Sequence, residues 1–216
     1  AGPGRGQRGA RVRRALIVQG YPAFDAPLVA FAFRRAGYLV DLIEHTWLEP
    51  QKFAEYDVVV YDGSFLRAKI EPSRFNTEDY PILRNYLEQG GQLILMRERY
   101  DLFAGDEGQK FLASLLGSNT RRKFAELTLQ QPNHPWLKHL RGGTPDWLPC
   151  KNVSLIRHEQ GSSVIGSPGG SALLEAPVGR GRLIYVGWVP SASMPHGRVP
   201  GTVDDERRFE EQVQVI

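Results

Sequence analysis

The residues best suited to chemistry directly follow a short apolar run in the middle of the chain. The run Leu93–Met96 ends abruptly in Arg97, Glu98 and Arg99. Such a run predicts a strand buried on both faces, and open α/β sheets bind ligands at the carboxyl ends of their strands. Glu98 could act there as a general acid or base. The arginines stay protonated and could bind a carboxylate, a phosphate or sugar hydroxyls.

His196 is the second candidate for acid–base chemistry. It follows the last apolar run of the chain, in the stretch GWVPSASMPHGR, so we expect it at the same edge of the sheet as Glu98. Together, Glu98 and His196 could serve as acid and base on a sugar-like or other small polar substrate. That pairing would make the protein a hydrolase or an isomerase, with Arg97 or Arg99 orienting an anionic group.

Further residues could bind a ligand at this edge without taking part in a reaction. Tyr21, Tyr100 and Trp188 lie in or next to loops at predicted strand ends, beside the two arginines, Arg97 and Arg99. Aromatic rings next to polar groups suit sugar rings, and they suit a protein interaction surface equally well. The sequence therefore predicts a binding rim and leaves open whether a small molecule or a protein occupies it.

No pattern in the sequence predicts a metal or a cofactor. The five histidines (45, 134, 139, 158 and 196) show no HExxH spacing, and the single Cys150, whose role the sequence leaves open, excludes an internal disulfide or a cysteine-based cluster. A Gly-x-Gly-x-x-Gly match at residues 4–9 precedes the first strand and begins no helix, so it does not predict a nucleotide site. We expect neither a metal nor a cofactor.

The elements that position these residues alternate between strands and helices in the first half of the chain. Apolar runs predict strands at 15–19, 38–44, 57–63 and 92–96. Helical spacing predicts helices at 26–36, 76–89 and 105–116, with Asn76 or Thr77 capping the second, and a short helical turn at 50–56. This alternation predicts an α/β domain whose parallel sheet carries helices on both faces.

The second half of the chain is typical of antiparallel structure. Strand-like stretches at 124–130, 152–158, 162–167, 171–179 and 181–189 are separated by glycine-, proline- and serine-containing turns. Gly179-Arg180-Gly181 predicts a hairpin between the last two. Residues 204–216 have the spacing of a closing helix.

The charge of the chain is concentrated at its start. Residues 1–14 hold five of the 27 basic residues and no acid, which leaves 22 basic against 24 acidic residues in the remainder. We expect residues 1–13 to form a disordered Arg/Gly-rich leader and residues 14–216 a single domain. Nucleic-acid binding is expected only through that leader.

No apolar run is long enough to span a membrane or to form a signal peptide. A cytoplasmic location is therefore favoured over a secreted or periplasmic location that the protein would reach through a signal peptide since removed.

The order of motifs resembles the class I glutamine amidotransferase-like superfamily. It is particularly similar to the ThuA-like (trehalose utilisation) branch and to the related β-galactosidase trimerisation-type domains. The stretches that carry the resemblance lie at 15–24, 56–63, 86–96, 133–140 and 178–188. The resemblance implies a flavodoxin-like three-layer sandwich with a mostly parallel central sheet, helices on both faces and antiparallel strands in the C-terminal half.

The resemblance also implies what is missing from the chain. Catalytic members of this superfamily present a cysteine in the tight turn after the strand that corresponds to Gln92–Met96. Here that position carries Arg97, Glu98 and Arg99, and no Cys or Ser follows until Ser114. An arginine cannot replace the nucleophile. We therefore expect a non-catalytic binding or assembly domain in a carbohydrate-related system, with a protein partner, self-association or a small polar or sugar ligand.

Overall fold

The computed structural model describes residues 11–19, 25–44, 47–62, 75, 77–96, 105–116, 121–123, 126–140, 145, 153–188, 207 and 211. In the first half the strands are β1 (Arg14–Gln19), β2 (Leu39–Glu44), β3 (Val58–Asp62) and β4 (Gln92–Met96). The helices are α1 (Asp25–Arg35), α2 (Asp79–Glu88) and α3 (Gly105–Leu116), and Pro50–Glu55 forms a 3-10 helix. The alternation predicted from the apolar spacing is confirmed.

The second half of the chain supplies six short to medium strands. They are β5 (Arg121–Lys123), β6 (Thr128–Leu129), β7 (Ser154–Ile156), β8 (Ser162–Ser167), β9 (Gly170–Val178) and β10 (Gly181–Val186), with a 3-10 turn at Pro135–Leu137. The predicted hairpin at Gly179-Arg180-Gly181 is confirmed, since Gly181 pairs with Val178. Of the predicted closing helix, only Arg207 and Glu211 are among the described residues; both are helical and form an ion pair at 3.0 Å.

All ten strands of the described chain join one mixed sheet. Its order is β2-β1-β3-β4-β10-β9-β7-β5, with β8 paired to β9 and β6 paired to β8. The five strands from β2 to β10 are parallel to one another, and every pair beyond β10 is antiparallel. β10 therefore joins the two halves, because it is parallel to β4 on one side and antiparallel to β9 on the other. This arrangement is the predicted flavodoxin-like α/β fold with antiparallel strands in the C-terminal half.

The alternation of side chains along each parallel strand separates two hydrophobic cores. Ile17, Val60, Ile94 and Ile184 lie opposite one another in register and belong to the core on which α1 packs. The neighbouring positions in each strand face the other core, which the helices α2 and α3 cover. The predicted helices thus lie on both faces of the sheet.

Two local predictions differ from the structure. Glu78 takes the cap position of α2, and its side chain makes no capping hydrogen bond, so the expected cap Thr77 is wrong. The other expected cap, Asn76, lies outside the described residues. The carbonyl of Thr77 accepts from the Tyr80 N–H instead, at 3.4 Å. Strand β5 was not expected, because its residues Arg121–Lys123 are all basic and carry no apolar periodicity.

Candidate functional site

Four parallel strands end level with one another at the carboxyl edge of the sheet. Register pairs place Gln19, Asp62, Met96 and Val186 in a single row across β1, β3, β4 and β10. Asp62 is fully buried in this row, although carboxylates are seldom fully buried in proteins. Asp62 lies within the predicted strand at 57–63, but nothing in the sequence indicated its burial, so this buried acid at the expected site edge was missed.

Most of the predicted site residues follow directly from this row of strand ends. Arg97, Glu98, Arg99 and Tyr100 come next after β4 in the sequence, and Tyr21 comes two residues after β1. These residues lie outside the described part of the chain, as do His196 and Cys150. The expected approach of Glu98 to His196 therefore stays a prediction.

Trp188 is the predicted ligand-binding residue that the structure does describe. It lies two residues after the end of β10, is 1% exposed and belongs to the core on the α1 side of the sheet. A tryptophan so deeply buried contributes mainly packing energy at its position. Its participation in a binding rim stays a prediction.

A second polar site lies beyond the carboxyl end of β10. Leu173 pairs with Val186, and the Gly187 N–H donates to the carbonyl of Ala172 at 2.6 Å, so the first residues of β9 extend past the end of β10. An open groove of about 440 Å³ lies there, at the turn that joins β8 to β9. Its lining is formed by Gln130, residues 157–159, Ser163 and residues 167–171.

A histidine held on both sides of its ring lies in this groove. The Nδ1 atom of His158 is 3.0 Å from the carbonyl oxygen of Gln160, and Nε2 is 2.7 Å from Oγ of Ser171. A carbonyl oxygen can only accept, so Nδ1 carries the proton in the neutral ring, and the Ser171 hydroxyl donates to Nε2. The segment is tied to α3, because the N–H groups of Glu159 and Gln160 both donate to the carbonyl of Leu116.

The contact between Ser171 and His158 has the distance of a nucleophile and its base, but its burial argues against that role. Acyl transfer requires a serine oxygen that a substrate carbonyl carbon can reach, whereas Ser171 is 1% exposed. The group behind the imidazole is a backbone carbonyl, which stabilises an imidazolium less than a carboxylate does. We interpret Ser171 as the residue that fixes the orientation of the His158 ring.

The rest of the groove mixes hydrogen-bond donors and acceptors. Arg157 and Glu159 are exposed on either side of His158. The Gln130 amide nitrogen donates to the hydroxyl of Thr128 at 2.6 Å, and the Gly169 N–H donates to Oγ of Ser167 at 3.1 Å. The sequence did not indicate this site, because its residues come from four separate stretches that no motif connects.

Another charged cluster has a structural explanation. Glu175 of β9 accepts a hydrogen bond from Arg182 of β10, and its second oxygen lies 3.5 Å from Nε2 of His134. The other ring nitrogen of His134 accepts from the Trp136 N–H at 3.3 Å, and the two rings meet edge to face. This cluster holds the 3-10 turn against the β9–β10 hairpin.

The described residues form neither a metal centre nor a membrane-spanning helix. They contain no group of three or more His, Cys, Asp or Glu side chains that could hold a metal ion. None of their helices is long and apolar enough to cross a membrane.

Comparison with known proteins shows the fold of the chain. No protein-family model and no curated protein sequence matches it. Among solved structures, a cytoplasmic protein from Salmonella typhimurium LT2 is 14% identical with a TM-score of 0.61, and the match covers 94% of this chain and 98% of that one. A ThuA-like protein from Bacteroides uniformis is 13% identical with a TM-score of 0.54, over 98% of this chain and 94% of that one.

A glycosidase carries the same fold as one part of a longer chain. An exo-beta-1,4-mannosidase from Opitutaceae bacterium strain TAV5 is 14% identical with a TM-score of 0.52, and the match covers 94% of this chain but 34% of that one. At such identities the likeness establishes a shared fold. The predicted resemblance is thus supported at the level of fold, by both a ThuA-like protein and a glycosidase.

Proposed function

We propose that this chain is a non-catalytic amidotransferase-like domain that binds a ligand or a protein partner in a carbohydrate-related system. The observation that carries the proposal is the end of β4. The strand ends at Met96, and the sequence continues with Arg97, where catalytic members of the resembled superfamily present a cysteine. A guanidinium group cannot act as a nucleophile, so the glutamine-hydrolysing reaction of that superfamily has no basis at this position.

Two neighbours in fold support the carbohydrate-related context. One is a ThuA-like protein, and the other is a mannosidase of which the shared fold makes up about a third. The latter shows that this fold can accompany a glycosidase without being the whole enzyme. Binding by Arg97, Arg99, Tyr21, Tyr100 and Trp188 at the carboxyl edge, and association with a protein or a second copy, belong to the same proposal.

The test separates this proposal from the alternative enzyme. The full chain is incubated with glutamine and, separately, with a panel of chromogenic aryl glycosides, and ammonia and aryl alcohol are measured. We expect the wild-type chain to release no more ammonia or aryl alcohol than a buffer blank does. The variants Glu98→Gln and His196→Asn should give the same result. Turnover by the wild-type chain that either substitution lowers by about a hundredfold or more, the usual contribution of a general acid or base, would instead establish an acid–base enzyme.

A binding measurement completes the test. Titration calorimetry with acidic sugars, whose carboxylates suit the two arginines, should show heat that the double variant Arg97→Ala/Arg99→Ala loses. Light scattering of the same samples measures self-association. A chain that binds no sugar, remains monomeric and captures no carbohydrate-active partner would contradict the proposal.

A further inference from the structure

None of the described residues that line the groove beside the β8–β9 turn is one of the predicted rim residues. Seven of the ten described residues that line it have polar side chains, and the other three are Pro168, Gly169 and Gly170. Its volume of about 440 Å³ falls within the roughly 300–1,000 Å³ of small-molecule sites. The groove therefore has the size and the polarity for a small polar ligand.

The charges of the groove define the ligand more closely. Arg157 and Glu159 lie two residues apart on either side of His158, and both are exposed. Their formal charges cancel, so an anion would be attracted by Arg157 and repelled by Glu159, and a cation would meet the reverse. A neutral molecule avoids both penalties and can still bond to each group.

The mixture of donors and acceptors points to hydroxyl groups. A hydroxyl both donates and accepts, so its full satisfaction needs both kinds of partner nearby. Arg157 and the Gln130 amide supply donors, Glu159 supplies acceptors, and the Ser167 hydroxyl can do both. The Ser163 hydroxyl donates to the Ile165 carbonyl at 3.5 Å, and its oxygen can still accept. This arrangement suits adjacent hydroxyls on one molecule better than it suits an apolar ligand or a single charged group.

The groove is built on positions that the fold holds in place. Ser171 and the Gln160 carbonyl fix the His158 ring, and two hydrogen bonds to the Leu116 carbonyl fix the backbone that follows it. Gly170 has a φ of +151°, and a Cβ there would lie 2.7 Å from the carbonyl oxygen of Ile156. A ligand would thus meet groups whose positions are already set, which lowers the entropic cost of binding.

We propose that this groove is a binding site for a small, neutral, polyhydroxylated molecule, such as a sugar or a linear polyol. The groups that bind it are Arg157, Glu159 and Gln130, and His158 and Ser171 form the wall between them. The inference rests on the chemistry of the groove alone and does not depend on the rim residues.

The experiment uses the full chain, labelled with ¹⁵N, and follows its amide resonances while glucose, mannitol, gluconate or glucosamine is added. We expect the two neutral probes to shift the amides of residues 157–159 and 167–171. Arg157→Ala or Gln130→Ala should weaken the binding of the neutral probes about tenfold, the usual effect of losing a hydrogen bond to a charged group or a well-placed amide. Arg180→Ala removes an arginine that is also exposed but lies outside the groove, and it should leave binding unchanged.

A further variant tests the balance of charges in the groove. Glu159→Gln leaves Arg157 unopposed, so the affinity for gluconate should rise severalfold relative to that for glucose. The exposed positions of these side chains make a loss of folding unexpected, and thermal melts check each variant. Groove amides that do not move with any probe, or that respond at lower concentrations of gluconate or glucosamine than of the neutral probes in the wild type, would overturn the inference. Shifts confined to the rim residues would overturn it as well, while supporting the proposed function.

Discussion

Gly181 shows how closely two segments of backbone approach at the start of β10. A Cβ at this position would lie 2.1 Å from the carbonyl oxygen of Gly91 and 2.3 Å from that of Leu87. These atoms are backbone, so they cannot rotate away as a flexible side chain could. The residue is a glycine because β10 packs directly against the turn that ends α2 and begins β4.

We expect Gly181→Ala to lower the free energy of unfolding by about 3 kcal/mol, the upper range for overpacking in a well-packed interior. Gly37→Ala is the matched control, because Gly37 has a φ of +86° but no atom within 4 Å of the added Cβ. It should cost only about 1 kcal/mol, the strain of the left-handed conformation. Urea denaturation of both variants checks which substitution lowers the free energy of unfolding more. Equal losses would show that small backbone shifts relieve the close approach at Gly181.

At the scale of elements, Tyr86 links helix α2 to strand β4. Its ring is buried among the residues under α2, and its hydroxyl donates to the carbonyl oxygen of Gln92 at 3.1 Å. Burial, aided by the charge of Asp57, raises the pKa of Tyr86 well above that of a free tyrosine. The fold therefore favours the neutral phenol, and ionisation of Tyr86 opposes folding.

The tyrosine pKa of the unfolded chain is about 10. Tyr86 should make its full contribution to the free energy of unfolding below this pH, and the contribution should decrease as the pH rises above it. We expect Tyr86→Phe to be about 1 kcal/mol less stable than wild type at pH 8, since it loses one hydrogen bond. The wild type then loses about 1.4 kcal/mol per pH unit above pH 10 through this group, and the variant does not. The two unfolding free energies should cross by about pH 11. Curves that stay parallel would contradict a raised pKa.

The elements that the sequence predicted correctly are those with a local signal. Strands β1 to β4 and helices α1 to α3 each carry their own apolar spacing, and a glycine or a turn residue bounds most of them. Strand β5 carries no such signal. It pairs with β7 through backbone hydrogen bonds, which need no particular side chains and so leave no pattern in the sequence. Dependence on long-range strand pairing also explains why the sequence did not predict the groove. His158 and Ser171 are 13 residues apart, and only the pairing of β7 and β8 with β9 brings them together.

The sheet edge that precedes the candidate rim was predictable, and the rim itself stays a prediction. The parallel order of β1, β3, β4 and β10 places their carboxyl ends in one row, as the alternation of strands and helices implied. The chemistry at that edge depends on loop conformations that no periodicity encodes. Asp62 illustrates the point, since its complete burial follows from its place in the row and not from its neighbours in sequence.

At the scale of the whole molecule, one sheet joins the parallel and the antiparallel halves through β10. Both cores extend across this junction. The core on the α1 side includes Val60 of β3 and Leu173 of β9, and the opposite core includes Leu93 of β4 and Leu174 of β9. The halves therefore share their packing, and neither covers its own apolar surface alone.

We expect the chain to unfold in one cooperative transition in urea, with the same midpoint by far-ultraviolet circular dichroism and by tryptophan fluorescence. Leu93→Ala in the parallel half and Leu173→Ala in the antiparallel half each truncate a side chain that is at most 1% exposed. Each should lower the free energy of unfolding by about 3 kcal/mol and move this single transition as a whole. If the halves were separate folding units, each substitution would shift only one of two transitions, and the two probes would disagree. A split of that kind would place a boundary between β10 and β9, across the antiparallel pairing of these two strands, and would contradict the predicted single domain.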